Sequence, residues 1–158
     1  MTEKKTFKEI YIKLRKKYDL PSYEELDKEF EIWEISPKNP YPLREVRRYM
    51  VDKFYEVVKL LEKVLYTPDA TVIDLYESST FTKEDLQRVF NILKKLALLL
   101  READLLELDY SEEKEAEWIK RAYEEWKKIK EEIRWVLEKK RDYWTKDLKF
   151  RHPKEYLG

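Results

Sequence analysis

Cysteine is absent from this chain of 158 residues, and its one glycine, Gly158, is the last residue. The lack of cysteine excludes disulfides, thiolate metal sites and cysteine nucleophiles. Without an internal glycine the chain cannot form phosphate-binding loops, whose tight turns need a residue without a Cβ atom. A β-hairpin-rich architecture is disfavoured for a related reason, since its primed turns call for glycine or asparagine.

Histidine and side-chain amides are nearly as scarce. The one histidine, His152, stands beside Pro153 and outside any helical Glu-x-x-His pattern. This excludes a carboxylate metal bundle with Glu-x-x-His ligands, a serine–histidine triad and an H-E-x-x-H site, but not a metal site made of carboxylates alone. Gln87 is the only glutamine, and Asn39 and Asn91 are the only asparagines, whereas lysine and glutamate are abundant. Because that balance is typical of hyperthermophile proteins, we expect a heat-adapted protein. The missing Cys, Gly and His patterns separately lead us to expect no catalytic motif and no cofactor.

No charge of one sign dominates, because 34 lysines and arginines balance 34 aspartates and glutamates. The composition as a whole therefore does not indicate a nucleic-acid or membrane partner. The opening residues, MTEKKTFKE, lack the apolar segment of a signal peptide, and no uncharged run approaches the ~20 residues of a membrane span. We expect a cytoplasmic protein that binds no membrane.

The most prominent feature of the chain is its most apolar stretch, Leu86–Leu108. At about 100° per residue, a wide arc of this helix is apolar. The residues on that arc are Leu86, Val89, Phe90, Ile92, Leu93, Leu96, Ala97, Leu99, Leu100, Ala103 and Leu106. A helix that is apolar over most of its circumference is normally packed on several sides. We therefore predict a central helix that other helices of the same chain surround.

Local signals mark the other helices. Capping boxes begin at Thr6 and Ser22, each with a glutamate three residues later, and predict two short N-terminal helices. Pro42 closes the Pro-rich linker 36–42 and suits the first position of a long helix. Ser111 is placed to cap a third long helix, which starts with glutamates and ends with cations, as the helix dipole favours.

The fold class that we predict is all-α. The expected architecture is an antiparallel bundle of three long helices, with two short N-terminal helices and a short connector helix around it. The long helices are expected at about 43–66, 83–107 and 112–143.

The length suits a single domain spanning residues 1–158. Within it, we expect the first lobe, residues 1–36, to pack on the 43–144 bundle, and residues 145–158 to form a polar tail.

Two segments leave the choice between helix and extended chain open. For residues 31–36 we favour a helix that frays by about Trp33. For residues 70–76 we favour a short helix that starts at Thr67-Pro68-Asp69, although its sequence is rich in β-formers.

Three residues of the apolar helix do not fit a simple bundle. Leu98 and Leu105, one heptad apart, lie on the side that Asn91 and Arg101 make polar. Either another helix of the chain covers them or they contact a second chain. Asp104 projects toward the apolar side, so either the helix bends there or Asp104 is a semi-buried carboxylate that needs a cationic partner.

Arg44, Arg47 and Arg48 lie in the first two turns of a predicted helix, where exposed amides already carry partial positive charge. A helix N-terminus with arginines is a candidate site for an anion, a phosphate or nucleic acid. The alternative is that the acidic segment between Glu24 and Glu34 folds back and pairs with them.

Trp135 is predicted to lie on the outer, mixed-charge face of the last helix. A lone exposed tryptophan often marks a protein contact; the alternative is that the first lobe or the tail covers it. The basic end of that helix, with Lys139, Lys140 and Arg141, is a second candidate contact for nucleic acid.

The function that these features favour is a non-catalytic interaction or scaffold protein, either a homo-oligomer or a small subunit of a larger assembly. Its motivation is the missing catalytic chemistry together with apolar residues on polar faces. An RNA- or DNA-associated accessory subunit that uses the arginines and the basic end is the first alternative. An enzyme with a carboxylate–metal site is the second, and it requires at least three acidic groups in a cleft.

Overall fold

The protein is all-helical. The computed structural model describes residues 5–66 and 68–150, and in these residues it contains six α-helices, one 3₁₀ turn and no β-strand. The short helices are α1 (Phe7–Tyr18), α2 (Tyr23–Phe30) and α4 (Val72–Ser78), and the long ones are α3 (Pro42–Leu65), α5 (Lys83–Leu108) and α6 (Glu112–Tyr143). The predicted fold class is confirmed.

Local capping determines where the helices begin. The hydroxyl oxygens of Thr6 and Ser22 accept hydrogen bonds from backbone N–H groups three residues later, at 3.3 and 3.1 Å. At the start of α5, Thr82 and Asp85 exchange hydrogen bonds in both directions, at 3.0 and 3.1 Å. Pro42 is the first residue of α3, where its missing N–H costs no helical hydrogen bond.

The segment after α2 is neither the continued helix nor the extended chain that the sequence left open for residues 31–36. Helix α2 ends at Phe30, earlier than predicted, because Glu31 adopts a left-handed conformation with φ 54°. A 3₁₀ turn, Ile32–Glu34, follows, and the Trp33 N–H donates to an Asp27 carboxylate oxygen at 2.9 Å.

The connector helix begins later than predicted. Helix α4 starts at Val72, and Thr71 caps it through a full capping box with Asp74. The predicted start at Thr67-Pro68-Asp69 is therefore wrong for Pro68 and Asp69, which lie in the preceding turn, and Thr67 lies outside the described residues.

The chain divides into two compact units. The first contains the described residues up to Tyr55 together with residues 97–127. Its core is aromatic: Phe54 lies 6.0 Å from Phe30, 6.0 Å from Trp118 and 5.6 Å from Trp126, measured between ring centroids. Residues of the first lobe thus pack on α3 and α6 inside this unit.

The second unit contains the described residues of 56–96 and 128–158. Its buried side chains come from α3, α4, α5 and α6 and from Phe81 in the loop before α5, and include Leu61, Tyr76, Val89, Leu96 and Val136. That residues 1–158 form one domain stays a prediction.

Helix α5 is not surrounded, and the prediction that it is a fully wrapped central helix is wrong. Its inner face is buried and consists of Val89, Ile92, Leu96, Leu99, Leu100 and Ala103. Phe90, Leu98, Leu105 and Leu108 are exposed instead. Of these four exposed residues only Phe90 belongs to the predicted arc, whereas Ile92 and Leu99, which widened that arc, are buried. In the described part of the chain, no helix combines the length and the apolar character that crossing a membrane requires.

Candidate interaction surface

The most unusual surface feature of the first unit is a row of exposed leucines on α5. The exposed fractions of Leu98, Leu105 and Leu108 are 61%, 65% and 75%. Leu98 and Leu105 are seven residues apart, and Leu108 follows three residues later, so all three lie along one side of the helix. Arg101 occupies the remaining position of this pattern. We call Leu98, Arg101, Leu105 and Leu108 the leucine seam.

The seam faces outward because the other side of α5 already has a partner. Leu99, Leu100 and Ala103 are buried, and the Trp118 ring N–H of α6 donates a 3.0 Å hydrogen bond to the Leu99 carbonyl oxygen. This contact joins α6 to the buried side of α5. The prediction that another helix of the chain covers Leu98 and Leu105 is wrong.

A surface ion pair lies within the seam. The Arg101 guanidinium contacts the Asp104 carboxylate one turn later, and their side chains are 68% and 53% exposed. Asp104 is therefore an exposed carboxylate, and of the two alternatives for this residue the semi-buried charge is wrong. Its angular position placed it near the predicted apolar arc, but that part of the arc is at the surface.

The arginines at the start of α3 are paired inside the first unit. Arg47 is 2% exposed, and its guanidinium donates to both oxygens of Glu115, at 2.5 and 3.2 Å. Its Nη2 also donates to Glu107 at 2.7 Å. Glu115 is itself fully buried, so the Arg47 charge faces carboxylates and not solvent.

The other two arginines complete this cluster. Arg48 donates to both oxygens of Glu107 at 3.0 Å and to Glu45 at 2.7 Å. Arg44 donates to the Leu106 carbonyl oxygen at 2.9 Å, and its Nε lies 3.5 Å from a Glu115 oxygen.

Helices α5 and α6 therefore supply most of the partners of these arginines, through Glu107 and Glu115. Pairing with the acidic segment between Glu24 and Glu34, the predicted alternative, is wrong. The prediction named carboxylates that are close in sequence, whereas Glu107 and Glu115 are about 60 or more residues away and only Glu45 is near.

The cluster shifts the pKa values of its members in the directions expected of mutual ion pairing. Hydrogen bonds from Arg48, and then from Arg47, lower the pKa of Glu107 to about 2. Burial opposes the charge of Arg47, but hydrogen bonds to Glu115 and Glu107 outweigh it and raise the Arg47 pKa. Hydrogen bonds to Glu107 and Glu45 raise the pKa of Arg48. All of these shifts favour the charged forms.

Trp135 is half-buried within the second unit. The Arg88 guanidinium lies 3.9 Å from the centre of the indole ring, and Phe81 meets the ring edge-on at 6.2 Å. Arg88 is held in place by two hydrogen bonds to Glu132, at 2.6 and 3.1 Å. Arg88 and Phe81 of the same unit therefore cover part of Trp135, and the prediction of a lone exposed tryptophan is wrong.

The basic end of α6 is also paired with carboxylates. Lys139 lies 3.2 Å from Asp85, and Lys140 lies 3.9 Å from Glu77. Arg141 lies 3.0 Å from the neighbouring Asp142. His152 and the rest of the tail beyond residue 150 lie outside the described residues.

No metal centre is evident in residues 5–66 and 68–150, where no group of three or more histidine, aspartate or glutamate side chains is arranged to hold an ion. The second unit has an open groove of about 780 Å³ between α3, α4 and α5, lined in part by Leu65, Tyr66, Phe90 and Leu93. Its lining is mainly apolar.

No protein-family model, curated protein or solved structure matches this chain. In the first unit, the leucine seam is a row of apolar side chains that packing among the described residues leaves exposed.

Proposed function

We propose that this protein is a non-catalytic helical interaction protein and that the leucine seam is its binding surface. The observation that carries the proposal is the exposure of Leu98, Leu105 and Leu108 on one side of α5. Single exposed leucines are ordinary on protein surfaces, but a row at helical spacing is how helices recognise apolar grooves and other helices.

The energetics indicate what kind of partner the seam needs. Completing the burial of one such leucine contributes ~1–2 kcal/mol, since full burial is worth ~1.5–3 kcal/mol and each is already partly covered. Three leucines then supply roughly 3–6 kcal/mol, while association costs ~4–15 kcal/mol in lost freedom. The partner must therefore contribute apolar surface of its own, as a second helix does.

The two alternative functions gain no support from a specific contact. The nucleic-acid alternative depends on Arg44, Arg47 and Arg48, which lie against carboxylates of their own chain, and on the paired cations at the end of α6. The metal-enzyme alternative requires an acidic cluster in a cleft, and none is present in the described residues.

Site-specific photocrosslinking tests the proposal. A photoreactive amino acid replaces Leu98 in one variant and Glu124 in a control variant, because Glu124 is exposed on α6 in the same unit. Irradiation in the native cells is expected to give a protein adduct from position 98 and none from position 124. The absence of an adduct from position 98, or equal adducts from both positions, would overturn the proposal.

A further inference from the structure

The leucine seam has the spacing of a two-stranded coiled-coil interface. With Leu98 and Leu105 at heptad positions a, Arg101 and Leu108 fall at positions d. The residues that are buried against the rest of the first unit, Leu99, Leu100 and Ala103, fall at the outer positions b, c and f. One helix thus presents an internal face to its own chain and a heptad face to the solvent.

From this pattern we infer that the partner, given the proposed function, is a second copy of this chain, with α5 packed antiparallel against α5 of the other copy. The argument for a second copy is that the seam is complementary to itself. Two-fold pairing uses the same surface patch on both copies: if residue i of one copy contacts residue j of the other, residue j of the first contacts residue i of the second. The seam meets that condition in both its apolar and its charged residues.

The charged residues determine the direction of the pairing. In a parallel pair, position d meets position d, so the guanidinium of Arg101 would face the same group of the other copy. Reversing one helix brings position a opposite position d. Leu98 then meets the second copy's Leu108, and Leu105 meets the aliphatic part of the second copy's Arg101. Each Arg101 guanidinium lies beside the second copy's Asp104, so two equivalent ion pairs form across the interface.

Two acidic residues, Asp104 and Glu102, approach their own counterparts near the two-fold axis of this arrangement, and each has a cationic partner. Glu102, at the edge of the seam, is already paired with Arg121 of its own chain. Arg101 and Asp104 are paired in the single chain and are both more than half exposed, so each has room for a further partner. A single polar residue in an otherwise apolar seam is a known device for setting register at some cost in affinity.

The extent of the seam predicts a weak dimer. Residues 98–108 span about 15 Å of helix at 1.5 Å per residue. A helix contact of this length buries less surface than the ~1,200–2,000 Å² of stable complexes. We therefore expect association only at high micromolar concentrations. Light scattering at increasing concentration should show the mass rise above the 19.6 kDa of one chain.

Disulfide trapping between introduced cysteines tests the orientation. Because the chain has no native cysteine, only the introduced residues can form a disulfide. The variants are Leu98→Cys and Leu108→Cys, oxidised separately and as a mixture. Antiparallel pairing brings position 98 of one copy next to position 108 of the other. Positions 98 of the two copies are then about 15 Å apart along the helix axis, too far for a disulfide.

The expected result is a covalent dimer in the mixture and none from either variant alone. A mixture of Leu98→Cys with Glu124→Cys is the control and should not crosslink. Dimers from Leu98→Cys alone would show parallel pairing, and no crosslink in the mixture would show no pairing at this face. Either result overturns the inference.

Charge reversal gives an independent test on the folded protein. Arg101→Asp and Asp104→Arg should each weaken self-association at least tenfold, because each places like charges together across the interface. The double variant restores both ion pairs with the signs exchanged and should return the dissociation constant to within a few-fold of the starting value. A double variant no better than the single variants would contradict the inference. Circular dichroism confirms that each variant remains helical.

The photocrosslinking experiment separates this inference from the proposed function. An adduct of twice the chain mass at position 98 supports both. An adduct with a different protein, and none with a second copy, leaves the proposed function standing and overturns the self-pairing. No adduct at that position overturns both.

Discussion

Arg47 of α3 and Glu115 of α6 form an ion pair in which neither side chain reaches solvent. The Arg47 Nε lies 2.5 Å from a Glu115 oxygen, and the two residues are 68 positions apart in the chain. Removing one member of a buried pair leaves the other charge desolvated, and this costs more than the pair contributes when intact. The pair therefore links the start of α3 to the start of α6, and replacing either residue alone should destabilise the fold.

Glu115→Gln should lower the free energy of unfolding by roughly 3 kcal/mol, because Arg47 then keeps only Glu107 as a charged partner. Urea unfolding monitored by circular dichroism measures the change. Glu113→Gln is the matched control, since Glu113 is exposed on the same helix turn, and its effect should stay within ~0.5 kcal/mol. Equal stability of the two variants would contradict the burial of the Arg47 charge. The double variant Arg47→Met with Glu115→Leu should recover most of the loss.

The pH dependence of stability should carry a contribution from Glu107. Its pKa is lowered from an ordinary 4.5 to about 2, so the unfolded chain binds the proton more readily than the folded one. This contribution is complete above about pH 4.5 and is lost as the pH falls toward 2. Because the side chain is 37% exposed, solvent screening limits it to the order of 1 kcal/mol.

The measurement is the difference in unfolding free energy between the wild type and Glu107→Gln at several pH values. That difference should be constant from pH 7 to pH 5 and should shrink between pH 4.5 and pH 2. A difference that stays constant over the whole range would show that Glu107 is not held in its charged form by the arginines.

Helix α2 ends with a residue in an unfavourable conformation. Glu31 has φ 54°, in the left-handed region that costs a residue with a Cβ atom ~1–2 kcal/mol. Glu31→Gly removes that cost but adds backbone entropy to the unfolded chain, so the net stabilisation should be roughly 0.5–1 kcal/mol. Asp19→Gly, at the end of α1 with the same φ, should stabilise less because aspartate tolerates this region better. Thermal unfolding of the two variants side by side gives the comparison, and a destabilised Glu31→Gly variant would contradict it.

Leu98 and Leu99 are adjacent in the chain but differ completely in burial, at 61% and 4% exposed. Leu99→Ala should destabilise the chain by about 2–5 kcal/mol, because it opens a cavity on the buried side of α5. Leu98→Ala should change stability by less than ~0.5 kcal/mol when measured at a concentration too low for association. Chemical unfolding at low micromolar concentration tests both, and similar losses for the two variants would place Leu98 inside the chain and remove the basis of the leucine seam.

The sequence by itself determined the fold class and nearly every helix bound, because these depend on groups within one turn of each other. Pro42 could start a helix, Ser111 could cap one, and Thr82 and Asp85 could satisfy each other's backbone N–H groups without any distant residue. The start of α4 shows the limit of such signals. Thr71 and Asp74 form the capping box of α4, although the segment before them also offered capping residues.

Only the tertiary structure decided which apolar residues of α5 stay exposed and which carboxylates meet the arginines. Periodicity placed Leu99 on the apolar arc and Leu98 among polar residues, but it left open whether another helix covers Leu98, which is 61% exposed. Charge counting likewise pointed to the acidic residues nearest in sequence, whereas Arg47 pairs with Glu115. Burial and ion pairing depend on which surfaces of distant segments come together, and no local interaction along the chain encodes that choice.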